Sequence, residues 1–211
     1  MGLFSNLVIF IFGASIGSFL NVLIDRLPKN ESINGRSHCD YCGKKIAWYD
    51  LIPVFSFFIL RGKTRCCHKK LSFQYPIVET ITGLAFVWLF KDSPYIDSLT
   101  RTVLTVSILS ALIVIFISDL KYHLISDYIL LALFIFSLML KIVIPAQAEI
   151  QAIEMSILSG LVVAFPIWLI YFISKERAMG LGDVYLSAVM GFLLGWKEGL
   201  LALYIAFITG A

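Results

Sequence analysis

The chain has 211 residues, of which 59% are hydrophobic and only 15% are charged, and its formal net charge is +3. Its mean hydropathy is +0.89. Because a soluble globular domain carries about 25% charged residues, this composition excludes an ordinary soluble domain and indicates an integral membrane protein.

The first apolar segment, Leu3–Ile24, predicts a transmembrane helix within residues 1–24. It is long enough to cross a hydrocarbon core of about 30 Å. It lacks a basic start and a small-residue cleavage site, and further apolar segments follow, so we interpret it as a retained helix and not as a signal peptide. Gly13 and Gly17 lie four residues apart, a spacing that lets two membrane helices pack closely.

Residues 25–75 form the one long polar segment and hold ten of the seventeen lysine and arginine residues. Loops this basic stay in the cytoplasm, which predicts an N-terminus on the outer side, and we expect the charges to contact anionic lipid. No nucleic-acid site is expected, because aromatic and basic residues are not interleaved in a helix or strand pattern. Leu51–Leu60 is apolar but too short to span, and we expect it at the membrane interface or in a small packed core.

All four cysteines lie in this loop, as one CxxC pair and one adjacent pair followed by a histidine. In a reducing cytoplasm such clusters favour zinc over disulfides, although thiols without a metal remain an alternative. Two adjacent thiols cannot form the usual zinc knuckle, so we expect a structural zinc that is partly occupied and takes no part in peptide hydrolysis. The predicted ligands are Cys39, Cys42 and Cys67, with Cys66 or His68 as the fourth.

Residues 76–211 predict a helical membrane core. Together with the first segment they indicate an all-α polytopic bundle of about six to eight transmembrane helices with one cytoplasmic cysteine-containing loop domain. A kink is expected at Pro166, and residues 175–177 are expected to form a cytoplasmic turn. The predicted spans are Pro76–Phe90, Leu99–Ser118, Tyr128–Ile144, Ile153–Ile173, Val184–Trp196 and Leu200–Ala211.

Two carboxylates lie at the edges of apolar segments. Asp183 follows Gly180 and Gly182 and directly precedes the run Val184–Leu194, while Asp119 directly follows another run. A charged group within the bilayer costs about 3 kcal/mol, so acids kept at this edge indicate function. Counting crossings from an outside N-terminus places both on the cytoplasmic side, which predicts a pair for acid–base chemistry. For the Gly-x-Gly-Asp pattern alone, an ordinary turn remains an alternative.

Two other classes of function remain open. If the segment between the third and fourth predicted spans is helical throughout, Asp119, His123 and Asp127 share one face and suggest a metal-dependent membrane hydrolase. We rank it below the acid pair, because no HExxH motif occurs and a turn at Ser126 would break the face. The third alternative is a non-enzymatic membrane scaffold or carrier with cation-binding acids and a zinc-stapled loop.

Motifs along nearly the whole chain resemble one family. They are Gly13–Val22, Cys39–Cys42, Trp48–Pro53, Arg61–Lys63, Gln74–Glu79, Asp119–Asp127 and Gly180–Val184. In order and spacing they resemble the bacterial type IV prepilin peptidases, which are aspartic peptidases of the Gly-x-Gly-Asp type. The resemblance implies that Asp119 and Asp183 are catalytic. It also implies supporting roles for Gly180, Gly182 and Asp127.

By this resemblance the chain would be a leader peptidase and N-methyltransferase of type IV pilus or type II secretion systems in the bacterial inner membrane. Its substrates would be prepilins or pseudopilins, in which a basic leader precedes a glycine and a hydrophobic helix. S-adenosylmethionine would be the methyl donor. The sequence shows no glycine-rich signature for this donor, and we place its site in the loop, near Glu79.

Three departures from the family pattern affect these expectations. Thr64 stands where a third zinc-type cysteine is expected, which bears on metal binding. Ser126 and Tyr185 stand where proline and lysine are common, and we expect these changes to tune the site. The chain ends at Ala211 inside an apolar run, whereas family members continue, so we expect a truncated C-terminus.

Overall fold

A computed structural model describes residues 2–39, 41–91, 99–143, 150–175, 177 and 179–210. Within these ranges the protein is helical, and its β-pairing is confined to two isolated bridges. The expected all-α fold is therefore confirmed. The helices are α1 (Leu3–Arg26), α2 (Phe55–Ile59), α3 (Gln74–Lys91), α4 (Leu99–Tyr122), α5 (Asp127–Val143), α6 (Ile150–Ser174), α7 (Leu181–Leu194) and α8 (Trp196–Gly210).

Each predicted span corresponds to a helix. Within the described parts of the chain, three segments are long and apolar enough to cross a membrane, Leu3–Lys29, Leu99–Tyr122 and Ile153–Ser174, with mean hydropathies of 2.2 to 2.4. The remaining spans match α3, α5, α7 and α8, which have 14 to 18 residues. Helix α6 continues through Pro166. The predicted ends at Ile144 and Ala211, and Glu176 of the predicted turn, lie outside the described residues.

The chain divides into two compact units. The first comprises residues 1–98 and 112–122, and its main packing is between α1 and α3. A Cβ atom added to Gly17 would lie 2.8 Å from the Cα atom of Glu79, and one added to Gly13 would lie 2.8 Å from the ring of Phe86. Only glycine lets the two helices approach this closely, so the predicted packing role of both glycines is confirmed.

The second unit comprises residues 99–111 and 123–211, in which α6, α7 and α8 pack together. Glycines again permit the contact: a Cβ atom on Gly191 would lie 2.7 Å from the carbonyl oxygen of Ser159. A Cβ atom on Gly199 would lie 2.8 Å from the side chain of Val163. This close packing positions α7, whose first turn carries the Gly-x-Gly-Asp motif.

The apolar part of the loop forms a small packed core around one side chain. Phe57 in α2 is buried, and its ring lies 5.2 Å from that of Phe73. Phe55 and Phe58 on the same helix remain 61% and 67% exposed. The short apolar segment therefore packs in part, as expected, and leaves an apolar face outside the core.

Candidate active site and cysteine centre

The Gly-x-Gly-Asp motif forms the N-terminus of α7. Gly180 is the extended residue that precedes the helix, and Asp183 is its third residue. The Gly180 N–H donates to Oδ2 of Asp183 at 3.0 Å, and the Asp183 N–H donates to the Gly180 carbonyl at 3.2 Å. The motif is thus a helix start and not an isolated turn. The half-buried Asp183 carboxylate lies at the positive end of the helix dipole, which favours a negative charge.

Gly182 allows a close approach within the second unit. A Cβ atom at this position would lie 3.2 Å from Cβ of Ile125. Ile125 belongs to the connector between α4 and α5, which follows Asp119 in the chain. The absence of a side chain therefore lets the first turn of α7 lie against this connector.

Asp119 lies inside a helix and not after one. Helix α4 continues one turn beyond the predicted end at Ser118 and reaches Tyr122. It stops where His123 adopts a left-handed conformation, with φ of 52°. Asp119 is exposed in the last turn, at the negative end of the helix dipole.

The shared face proposed for a metal-dependent hydrolase is not formed. It required a continuous helix from Asp119 through His123 to Asp127, but α4 ends at Tyr122 and α5 begins at Asp127. Asp127 is exposed in the first turn of α5, where a carboxylate complements the helix dipole. Among the described residues, the cysteines are the only group of three or more potential metal ligands that the fold brings together.

One acidic residue within the predicted 25–75 loop has several partners from other parts of the chain. Asp25, in the last turn of α1, accepts hydrogen bonds from the hydroxyl of Tyr75 at 2.9 Å and from that of Tyr122 at 3.2 Å. The ammonium group of Lys121 forms an ion pair with the same carboxylate. These partners lie 50 to 97 residues away in the chain, so no local pattern could have indicated them.

The four cysteines form a cluster of the size that zinc requires. Their Sγ atoms all lie within 4.8 Å of one another. The separations are 3.7 Å for Cys39–Cys67, 3.3 Å for Cys42–Cys66 and 3.9 Å for Cys66–Cys67. A tetrahedral site with Zn–S bonds of about 2.3 Å has S–S separations of about 3.8 Å, so the residues fit this metal. Of the two candidates for the fourth ligand, the fold brings Cys66 into the cluster, while His68 is not part of it.

Two turns, residues 38–45 and 63–70, carry the cysteines and repeat the same backbone pattern, including one β-bridge each. The N–H of Cys39 donates to the carbonyl five residues later at 2.9 Å, and the N–H of Thr64 does the same at 2.8 Å. Thr64 therefore occupies in the second turn the position that Cys39 occupies in the first. The second turn therefore has the backbone conformation of a zinc-knuckle turn but lacks the first cysteine of that turn. Cys66, in the middle of the turn, supplies the missing thiol.

The thiols of the cluster differ in acidity. The Thr64 hydroxyl lies 3.1 Å from Sγ of Cys67, and this hydrogen bond lowers the pKa of the Cys67 thiol to about 7. The hydrogen bond to Cys42 raises the pKa of the Cys66 thiol to about 12. Because zinc binds thiolates, metal binding at this cluster must displace the proton of Cys66.

A cavity of about 180 Å³ lies in the first unit, between α1, the start of α3 and the loop. Glu79 lines it and is only 8% exposed, and its carboxylate accepts the Val54 N–H at 2.7 Å. The cavity is partly open to solvent, and both polar and apolar side chains line it. Other residues that line it include Asn21, Asp25, Cys39, Phe57 and Tyr75.

Two family models match the chain. Residues 11–92 match the bacterial peptidase A24 N-terminal domain, and residues 106–211 match the type IV leader peptidase family. The described core of the first unit and the Gly-x-Gly-Asp helix start thus fall in separate matched segments. No solved structure matches the chain.

Several curated relatives carry the name prepilin leader peptidase/N-methyltransferase. The protein of Myxococcus xanthus is 32% identical over 207 residues, which cover 96% of this chain and 60% of that protein. The protein of Klebsiella pneumoniae is 33% identical over 90% of this chain and 85% of its own length. That of Pectobacterium carotovorum is 32% identical over 89% of this chain and 74% of its own length.

Proposed function

Because the chain belongs to the type IV leader peptidase family, we propose that it is a membrane aspartic endopeptidase that removes the basic leader from prepilins or pseudopilins. Asp119 and Asp183 are its catalytic residues, supported by Gly180, Gly182 and Asp127. The observation that carries the assignment is the first turn of α7, where Asp183 is held at the helix start. The pairing of Asp183 with Asp119 rests on the family to which the chain belongs.

Two neighbouring carboxyl groups can catalyse hydrolysis of a peptide bond when one of them is ionised and the other is protonated. The ionised member of the Asp119–Asp183 pair takes a proton from water, and the hydroxide attacks the scissile carbonyl. The protonated member polarises that carbonyl and then protonates the leaving amine, so no covalent intermediate is formed.

The substrate's hydrophobic helix rests in lipid against the membrane helices, with its leader end at the aspartates. In this proposal the active site lies on the cytoplasmic side of the inner membrane, with the N-terminus outside and the 25–75 loop inside, and the basicity of that loop supports this orientation. The test of the peptidase is to incubate the purified protein in detergent with a prepilin peptide, with and without S-adenosylmethionine, and to measure the product masses. An uncleaved peptide would refute the proposed function.

Thiol labelling tests this topology. Cys42 is exposed and Cys67 is half-buried with a lowered pKa, whereas Cys39 is buried and the pKa of Cys66 is raised, so Cys42 and Cys67 are the reactive sites. We expect a reagent that cannot cross membranes to label them only after the cells are opened and treated with a chelator. The matched control is Phe4→Cys in a variant lacking the native cysteines, because Phe4 is 78% exposed near the start of α1 and should react in intact cells. Labelling of Cys42 in intact cells would reverse the topology.

The cysteine centre holds a structural zinc in this proposal. Cys39, Cys42, Cys66 and Cys67 are its ligands, and the metal joins the two turns of a loop whose core is small. The zinc supplies folding energy to the loop and takes no part in peptide hydrolysis.

We expect native mass spectrometry to show less than one zinc per chain, and Thr64→Cys to raise this occupancy, because residue 64 repeats the position of Cys39. The control Thr64→Ser keeps the hydroxyl and should leave occupancy unchanged. Cys66→Ser should lower occupancy, whereas His68→Gly should not, since His68 lies outside the cluster and its φ of 55° suits glycine. Full zinc occupancy that survives both Cys66→Ser and His68→Gly would show that the proposed fourth ligand is wrong.

The second activity, transfer of a methyl group to the new N-terminal amine, is assigned to the cavity beside Glu79. S-adenosylmethionine supplies an electrophilic methyl group, and the sulfur keeps the electron pair of the broken C–S bond. The amine can attack only as the free base, because its ammonium form has no lone pair. Glu79, which is buried at the edge of this cavity, orients the ammonium group and takes its proton.

A further inference from the structure

We infer that Asp25 is a positioning residue for Asp119, one that fixes the end of α4 for leader cleavage. The inference rests on the proposed peptidase function. It comes from Asp25, which lies in none of the family motifs, and from its partners Tyr75, Lys121 and Tyr122.

One carboxylate joins three helices of the first unit at this point. Asp25 belongs to the last turn of α1, and Tyr75 to the first turn of α3. Oδ2 of Asp25 accepts the Tyr75 hydroxyl at 2.9 Å, and Oδ1 accepts the Tyr122 hydroxyl at 3.2 Å. Lys121 adds an ion pair to Oδ1. The last two residues of α4 are thus tied to the α1–α3 pair by a single side chain.

The position of Asp119 depends on the same helical turn. Lys121 and Tyr122 follow it by two and three residues, so all three lie within about 4.5 Å along the helix axis. A helix end lacks part of its hydrogen bonding and frays. Because α4 ends at Tyr122, the contacts with Asp25 restrain the turn at the point where fraying would displace Asp119.

The ion pair is sheltered enough to restrain the helix. The side chain of Asp25 is 17% exposed and that of Lys121 is 34% exposed. Hydrogen bonds between charged groups are about twice as strong as those between neutral groups. The ammonium group also lies 5.0 Å from the centre of the Tyr122 ring, so Lys121 and Tyr122 hold each other in place. Removal of Asp25 takes away the acceptor that all three partners share.

A charge exchange tests the inference. We expect Asp25→Lys and Lys121→Asp each to lower kcat for a prepilin peptide by about 10- to 100-fold, since a displacement of about 1 Å at a catalytic group has this effect. KM for cleavage should change little, because neither residue is assigned to binding of the uncleaved peptide. The double variant restores the ion pair with opposite polarity, and its kcat should exceed that of either single variant by about tenfold. Asp25→Asn, which keeps an acceptor, should lose less than Asp25→Lys.

The matched control is Arg65→Gln, which breaks another ion pair of the first unit, the one with Asp50 at 2.8 Å, and should leave kcat unchanged. A wild-type kcat in both single variants, or a double variant no better than the singles, would overturn the inference. A kcat that falls only in step with the thermal midpoint would also overturn it, because the role would then be structural. Wild-type protein and Asp119→Asn are assayed alongside, and a fully active Asp119→Asn would refute the proposed function independently of Asp25.

Discussion

Asp119→Asn and Asp183→Asn are each expected to abolish leader cleavage while the protein still inserts into the membrane. Asparagine has the size of aspartate but neither takes nor gives a proton at neutral pH. Loss of general acid or base catalysis lowers the rate by about 100- to 10,000-fold, and each variant lacks one of the two groups. In Asp183→Asn the amide oxygen can still accept the Gly180 N–H, so the start of α7 is preserved.

The measurement is the mass of the products from a prepilin peptide in detergent. Glu154→Gln serves as the control, because Glu154 is an exposed acid on α6, outside both aspartate motifs, and its loss should leave cleavage intact. Substantial cleavage by either asparagine variant would remove the catalytic pair. Cleavage that survives in both variants but stops on chelation would instead support a metal-dependent hydrolase.

Glu79→Gln is expected to abolish methylation and to leave cleavage largely unchanged. Glutamine can still accept the N–H of Val54, so the local structure of the loop is retained. It cannot accept the proton of the ammonium group, and the amine then remains unreactive. The product spectrum should therefore show the cleaved peptide without the added methyl mass, whereas wild-type protein with S-adenosylmethionine yields the methylated form.

Glu198→Gln, in the second unit, is the control for this prediction and should leave both activities intact. Methylated product from Glu79→Gln would show that the base lies elsewhere. Loss of both activities would show a structural role, because the backbone of Glu79 packs directly against Gly17. The ratio of methylated to unmethylated product separates these outcomes without depending on the overall rate.

The helices could be predicted from the sequence because a membrane segment is recognisable from its own composition. A helix satisfies its backbone hydrogen bonds within one segment, so length and hydropathy are sufficient signals. The packing of Gly13 and Gly17 was predictable for a similar reason, since close helix contacts need residues without side chains at a spacing of one turn. The positions of Asp119 and Asp183 at the ends of apolar segments could also be recognised from the sequence. Their pairing at one site stays a prediction.

The details of the loop and of the helix ends depended on tertiary structure. The choice of Cys66 over His68 follows from two turns that repeat one backbone pattern 25 residues apart, with a threonine in one and a cysteine in the other. The end of α4 follows from the left-handed conformation of His123, which is uncommon for any residue other than glycine.

The contacts of Asp25 show why such features cannot be read from the sequence. Its ion-pair partner Lys121 lies 96 residues away in the chain. The sequence contains many other lysine and arginine residues that could form the same ion pair with an aspartate. A local pattern records the preferences of neighbouring residues, which determine where helices form. Which distant side chains come into contact is decided only when the helices pack. The packing sets the interatomic distances of a few ångströms on which a hydrogen bond or a metal site depends.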